Sequence, residues 1–158
     1  MIALLGSAMT GCSAPPEPAE PTPVFTSEDE AFAAAEETYR AYVDALNQVD
    51  LSDPETFEDV YAWTTGELNA TDRTGLSKYH AEGVHVAGAS AVVTVEPADF
   101  SATFDLVTLA TCLDVSEVVV LDRDGNSLVD PDRVDVQSLS VTLVSSPRSP
   151  TSLLVGAI

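Results

Sequence analysis

The sequence predicts an α+β domain in which N-terminal helices pack on a curved antiparallel sheet. Three observations predict it. An apolar stripe of helical period covers residues 27–49, the period changes to two from Val84 onward, and every helical segment precedes every strand segment. Helices grouped ahead of a strand meander favour helices on one face of a sheet, whereas parallel sheets need alternating order.

The first helix opens at Ser27. Ser27 and Glu30 have the spacing of a capping box, and Asp29 adds negative charge to the first turn. Phe32, Ala35, Tyr39, Tyr42, Val43, Leu46 and Val49 recur at three- and four-residue steps, which puts them on one face. Glu36, Glu37, Arg40 and Asp44 fall on the other, with Glu36 and Arg40 spaced as a helix ion pair. The two tyrosines on the stripe are expected to fill core. A second helix is expected from Ser52, with Pro54 in its first turn, carrying Phe57, Val60, Tyr61 and Trp63 and ending at Gly66 in a left-handed cap. A third helical piece is expected over 67–82, broken around Gly75 and left at Gly83.

Val93 and Val95 alternate with Thr94 and Glu96 before Pro97 and Asp99, where a turn is expected. Residues 103–115 read as a central strand, because both faces are apolar: Phe104, Leu106, Ala110 and Cys112 on one, Val107, Leu109, Leu113 and Val115 on the other. Residues 118–121 form the next strand. Asp124, Gly125 and Asn126 then make a hairpin turn into Leu128 and Val129. Asp130, Pro131 and Asp132 are a loop. Leu139, Val141 and Leu143 alternate with Ser140 and Thr142, and residues 152–158 complete the strands.

Composition narrows the functional classes. Against 26 acidic residues stand 6 basic ones, a formal net charge of −20, so no basic patch exists to displace counterions from nucleic acid. The same field holds the body away from an anionic bilayer surface. With 45% apolar residues and a mean hydropathy of +0.12, the chain is too hydrophobic to remain disordered.

Before this domain, Ile2, Ala3, Leu4 and Leu5 with Gly6, Ser7 and Ala8 make a small apolar leader, followed by Met9, Thr10, Gly11 and Cys12. That pattern resembles the lipobox of bacterial lipoproteins. The resemblance implies a signal peptide over 1–12, cleavage before Cys12, lipid attachment at Cys12, and a cell-membrane location on the outer face. No Lys or Arg precedes the leader, which points to Met1 as an internal start. Residues 13–26 hold five of the ten prolines and read as an extended tether, reaching on the order of 40 Å at about 3.1 Å per residue. The domain proper is 27–158.

The element order over 27–158 resembles the cone-shaped fold of the nuclear transport factor two-like superfamily, which includes ketosteroid isomerase. The superfamily's usual strand between the second and third helices has no counterpart in the pattern. The segments 61–66, 76–80 and 111–116 are similar to secreted lipoproteins of actinobacteria, which bring no activity to carry over. Their tendency to a C-terminal cysteine implies a partner for Cys112. The apolar ending at 154–158 therefore reads as truncated.

His80 and His85 are the only histidines, and an imidazole can act as a general base near neutral pH. A histidine base facing the cavity with a nearby Asp such as Asp72 would resemble the superfamily's isomerase and dehydratase sites. Asp122, Asp124, Asn126, Asp130 and Asp132 offer oxygen ligands, but Gly125 is misplaced for a calcium-binding loop and the terminal glutamate is missing. Turn chemistry accounts for those residues. No nucleophile elbow, phosphate-binding glycine loop or paired-cysteine metal pattern occurs. The expectation is a non-catalytic domain, with no cofactor or metal, that binds a small apolar ligand or an envelope protein. The alternative is a small cavity enzyme using His80 or His85.

Overall fold

The computed structural model describes residues 24–101 and 105–158. The lipobox with Cys12, the linker up to residue 23, and Phe104 lie outside the described residues.

Helix α1, Glu28–Asn47, begins as its sequence requires: Ser27 Oγ accepts from the Glu30 amide at 3.2 Å. The reciprocal half of the box is shifted by one residue. Glu30 accepts from the Thr26 amide at 2.9 Å and the Thr26 hydroxyl at 2.6 Å rather than from Ser27, and these bonds lower its pKa. Ala31, Ala35, Thr38, Tyr39, Tyr42, Val43 and Ala45 are buried along one face.

The expected second helix is shorter and starts later. Asp53, the residue before Pro54, caps it through the Glu55 amide at 3.1 Å, a single 3₁₀ turn covers Pro54–Thr56, and α2 runs Phe57–Ala62. Gly66 does adopt φ +59°, but it opens α3, Gly66–Glu82, instead of closing α2. That helix is continuous through Gly75, because one glycine costs a helix only about 1 kcal/mol. Gly83 at φ +69° ends it, with the Val84 amide reaching back to the Tyr79 carbonyl at 3.0 Å.

Four antiparallel strands, β2 (Ala91–Ser101), β3 (Leu106–Asp114), β5 (Val136–Ser145) and β6 (Leu153–Ala157), form a sheet in the order β2-β3-β5-β6. The small strands β1 (His85–Ala87) and β4 (Val119–Leu121) pair separately. Pro97 and Asp99 do not turn the chain. They sit within β2, an edge strand, where a proline lacking its amide hydrogen is tolerated. Register shifts at Val92/Thr94 and Pro97/Asp99 are bulges that bend this edge. Beyond the turn at Gly125, only a single bridge, Leu121 to Ser127, replaces the expected strand at Leu128 and Val129. Between α2 and α3 there is one parallel bridge rather than a strand: the Val155 amide donates to the Trp63 carbonyl at 3.0 Å, and the Thr65 amide to the Val155 carbonyl at 2.9 Å.

Helix α1 packs across β2, β3 and β6, giving helices on a curved sheet, cone-like. Tyr39, Val60, Val141, Leu143, Leu153 and Val155 are fully buried between them. β3 is central, but its faces are unequal. Val107, Leu109 and Thr111 point into the core, whereas Leu106, Ala110 and Cys112 point outward and none of these three is buried. The expectation of a strand with two apolar faces, Cys112 on one of them, is therefore corrected to one buried face: Cys112 is only half-buried, and no second layer covers the outer face among the described residues.

Candidate functional site

The packing loosens where α1 ends. Asn47, the last residue of α1, exchanges two bonds with Ser90: its Nδ2 donates to the Ser90 carbonyl at 2.9 Å, and its Oδ1 accepts from the Ser90 amide at 2.8 Å. That clamp holds the start of β2 beside the helix end. Opposite, His80 Nδ1 meets the Leu51 carbonyl at 2.7 Å, and Arg123 donates to the Glu82 carbonyl through Nε at 3.0 Å and Nη2 at 2.9 Å. These bonds fix the end of α3 between the 49–52 loop and the β4 turn. Gly88, at φ +81°, lets the chain press against β4; a Cβ there would lie 1.8 Å from the Glu117 carbonyl oxygen.

Between these tethers lies a cleft of two adjoining parts, an inner and an outer one, whose walls share Val49, Leu51 and Val86. The inner part, about 210 Å³, is walled by Leu46, Leu76, Tyr79 and Val118, with Asn47 and Ser90 as its polar groups. The outer part, about 520 Å³, is bordered by Asp50, Ser52, His80 and His85. A mostly apolar wall with a few convergent polar groups is the usual character of a small-molecule site.

Both histidines thus border one cavity, but both are exposed, and among the described residues neither hydrogen-bonds a carboxylate. If the His80–Leu51 contact is a hydrogen bond, His80 Nδ1 donates to the carbonyl, and the ring packs edge-on to Phe57 at 6.3 Å. Asp72 is not brought to either histidine. It stands eight residues before His80 on α3, about 12 Å at 1.5 Å per residue, and both its oxygens accept from Tyr42 Oη at 3.4 Å. Burial pushes the Asp72 carboxyl up to about 6, against the opposing pull of the Tyr42 bond. Burial likewise raises the Tyr42 hydroxyl, helped by the Asp72 charge.

The acidic turn is self-satisfied. Asp122 Oδ1 accepts from the Asp124 and Asn126 amides at 2.9 and 2.8 Å, Oδ2 accepts from Asn126 Nδ2 at 2.9 Å, and these bonds lower the Asp122 pKa, the Asn126 bonds most. Among the described residues no three His, Cys, Asp or Glu side chains converge as a metal site. The Tyr42–Asp72 pair and the cleft wall escaped the sequence reading. The available signal was the parallel spacing of Tyr42 with Leu46 and of Asp72 with Leu76, one turn apart on each helix.

No family model matches the chain, and no curated protein matches it. A solved protein of Novosphingobium aromaticivorans, described as a "putative aromatic ring hydroxylase", superposes with a TM-score of 0.52 at 11% identity, covering 82% of this chain and 87% of that one. The likeness is one of fold. A de novo designed β-sheet protein aligns over 82% of this chain and 85% of its own at 12% identity, with a TM-score of 0.36.

Proposed function

We propose that the chain is a lipid-anchored extracytoplasmic binding protein that holds a small apolar ligand in the cleft between α1, α3 and β1 without catalysing a reaction on it. The observation that carries the binding role is the inner cleft of about 210 Å³, walled by Leu46, Leu76, Tyr79, Val86 and Val118. Anchoring rests on the sequence alone, on the lipobox at residues 9–12 and the proline-rich tether after it. Among the described residues no helix is long and apolar enough to cross a membrane, so Cys12 carries the whole attachment in this reading.

The size of the cleft limits affinity. A six-carbon chain gains at most ~5 kcal/mol from burial at ~0.8 kcal/mol per CH₂, which places simple aliphatic probes near the millimolar range. Filling the cleft with Leu76→Trp should abolish binding of 1-hexanol while circular dichroism stays native. Unchanged binding in that variant would put the ligand elsewhere. For the anchor, Cys12→Ser should release the protein from membranes, because acyl chains supply the attachment; retention of the variant on membranes would sink that half of the proposal.

A second reading, a cavity enzyme of isomerase or dehydratase type with His80 or His85 as general base, is favoured by one observation. A donor bond from His80 Nδ1 to the Leu51 carbonyl would orient the ring and leave Nε2 as its acceptor. It ranks below binding because both imidazoles are exposed to water and lack a carboxylate partner among the described residues.

A further inference from the structure

A second groove, of about 410 Å³, runs along another face of α1 and shares no lining residue with the cleft. Ala41, Asp44, Ala45 and Gln48, spaced three and four residues apart, form one wall. Asp59 and Trp63 from α2 and its C-terminal cap form the second, and Arg148, from the segment before β6, closes it. The alanines on α1 carry only a methyl group each, which leaves the space between the walls unfilled.

These walls are held in place. The Trp63 carbonyl accepts from the Val155 amide at 3.0 Å, and the half-buried indole packs against the core. The segment carrying Arg148 is tied to α1: Thr151 Oγ1 shares one hydrogen bond with Thr38 Oγ1 at 2.5 Å and another with Ser149 Oγ at 2.9 Å. The Arg148 amide donates to Ser146 Oγ at 3.3 Å.

The polar side chains of the groove, by contrast, are free to bond a ligand. Arg40, Arg73, Arg123 and Arg133 each donate from the guanidinium to a carboxylate, an amide oxygen or a backbone carbonyl. Arg148 has no such partner among the described residues, although Asp44 and Asp59 line the same groove. Gln48 gives its Nε2 to the Asp44 carbonyl at 3.1 Å and keeps its Oε1.

A ligand for this groove must offer donors to two carboxylates, acceptors to one guanidinium, and a flat face to the indole. A polyanion meets two like charges, and an apolar body leaves the polar walls without partners. Sugar hydroxyls both donate and accept, and the C–H bonds on a pyranose face carry partial positive charge that the negative face of an aromatic ring attracts. We infer that the groove binds a neutral pyranose sugar, with Trp63 stacked on the ring, Asp44 and Asp59 accepting from its hydroxyls and Arg148 donating to them. The inference is independent of what the cleft binds.

Trp63 is the only tryptophan, so intrinsic fluorescence of the full chain reports this groove alone. Cellobiose should shift the emission to shorter wavelength and saturate in roughly the millimolar range. Sorbitol, which has the hydroxyls without the ring, should do neither. Arg148→Ala should weaken cellobiose about tenfold, whereas Lys78→Ala, which removes the same charge from α3, should leave it unchanged. Both side chains are exposed, so neither variant opens the core. Calorimetric titration of the native chain with cellobiose depends on no variant and on no change in emission. An equal response to sorbitol and cellobiose overturns the inference as a general solute effect. Binding that is undiminished in Arg148→Ala, or weakened equally in both variants, overturns it as well. Heat without an emission shift puts the sugar elsewhere, and neither heat nor shift removes the groove as a sugar site.

Discussion

Helices α1 and α3 are of comparable length, 20 and 17 residues, yet α1 buries seven side chains and α3 buries none. The difference teaches which part of the molecule is fold and which is free for function. α1 is held along its length by apolar packing on the sheet. α3 rests on the core and β6 only through half-buried side chains such as Leu68 and Leu76 and is otherwise held at points: Asn69 Nδ2 on the Tyr61 carbonyl and Thr64 hydroxyl, Arg73 on the Tyr61 ring, His80 on Leu51, and Arg123 on the Glu82 carbonyl. An element secured by a few polar contacts opens at lower cost than one secured by a core, and binding sites are drawn from such regions.

The largest expected effect lies in the packed half. Leu143→Ala, at a fully buried core position on β5, should cost about 3 kcal/mol of unfolding free energy, within the usual 2 to 5 for such cavities. Leu76→Ala on half-buried α3 should cost less than half as much, since its surroundings are already open to water. Urea unfolding measures both. Equal costs would mean that α3 belongs to the core and that the contrast is false.

The next effect lies in the small β1–β4 ribbon. Gly88→Ala should cost about 2 kcal/mol, because a methyl group 1.8 Å from the Glu117 carbonyl oxygen, at φ +81°, forces β1 away from β4. Hydrogen exchange should show the β1–β4 amides losing protection while those of β3 and β5 keep it. Uniform loss over the whole sheet would deny that the open half unfolds separately.

Asp72→Asn should act in the opposite direction. The carboxyl titrates at 3.8 in an ordinary setting and at about 6 in the fold, so the folded chain holds its proton more tightly. Asp72's contribution to stability is therefore full below about pH 4 and is lost as pH rises through about 6. At neutral pH the substitution should stabilise by on the order of 1 kcal/mol, a value discounted for solvent screening of a half-buried group. Denaturation curves for the variant and the native chain should converge at about pH 4. A destabilised variant at neutral pH would show that the Tyr42 bond outweighs the burial of charge.

These contrasts explain what could be read from the sequence. α1 was legible because its stripe is long, periodic and capped at Ser27, and β5 because Leu139, Val141 and Leu143 alternate with polar residues. The continuity of α3 through Gly75 was not, since its apolar residues are sparse and tertiary tethers rather than periodicity hold it. Pro97 inside β2 misled for a physical reason: proline ends central strands but is accepted on an edge, and sequence alone does not show which strand is the edge. Of the site, both histidines were identified, and the structure brings them to one cavity. The spacing of Tyr42 with Leu46 and of Asp72 with Leu76 puts each pair on one helix face, but that the two faces meet is a tertiary fact which that spacing does not carry.

The smallest expected effect concerns two neighbours on β3 and carries the contrast down to a single strand. Thr111 is 3% exposed and points inward, where its hydroxyl meets Tyr39 Oη at 3.4 Å. Cys112 points outward, between Thr94 of β2 and Ser138 of β5, and is half-buried. A hydroxyl in place of that thiol keeps nearly the same volume and can reach water, so Cys112→Ser should change stability by less than ~0.5 kcal/mol. Thr111→Ala, which removes a buried hydroxyl from Tyr39, should cost about 1 kcal/mol. The native thiol should also react with a small aromatic disulfide without denaturant. A Cys112 that labels only on unfolding, or a serine variant as damaging as the alanine next to it, would mean that something covers the outer face of the sheet. The packed half would then have two buried faces rather than one.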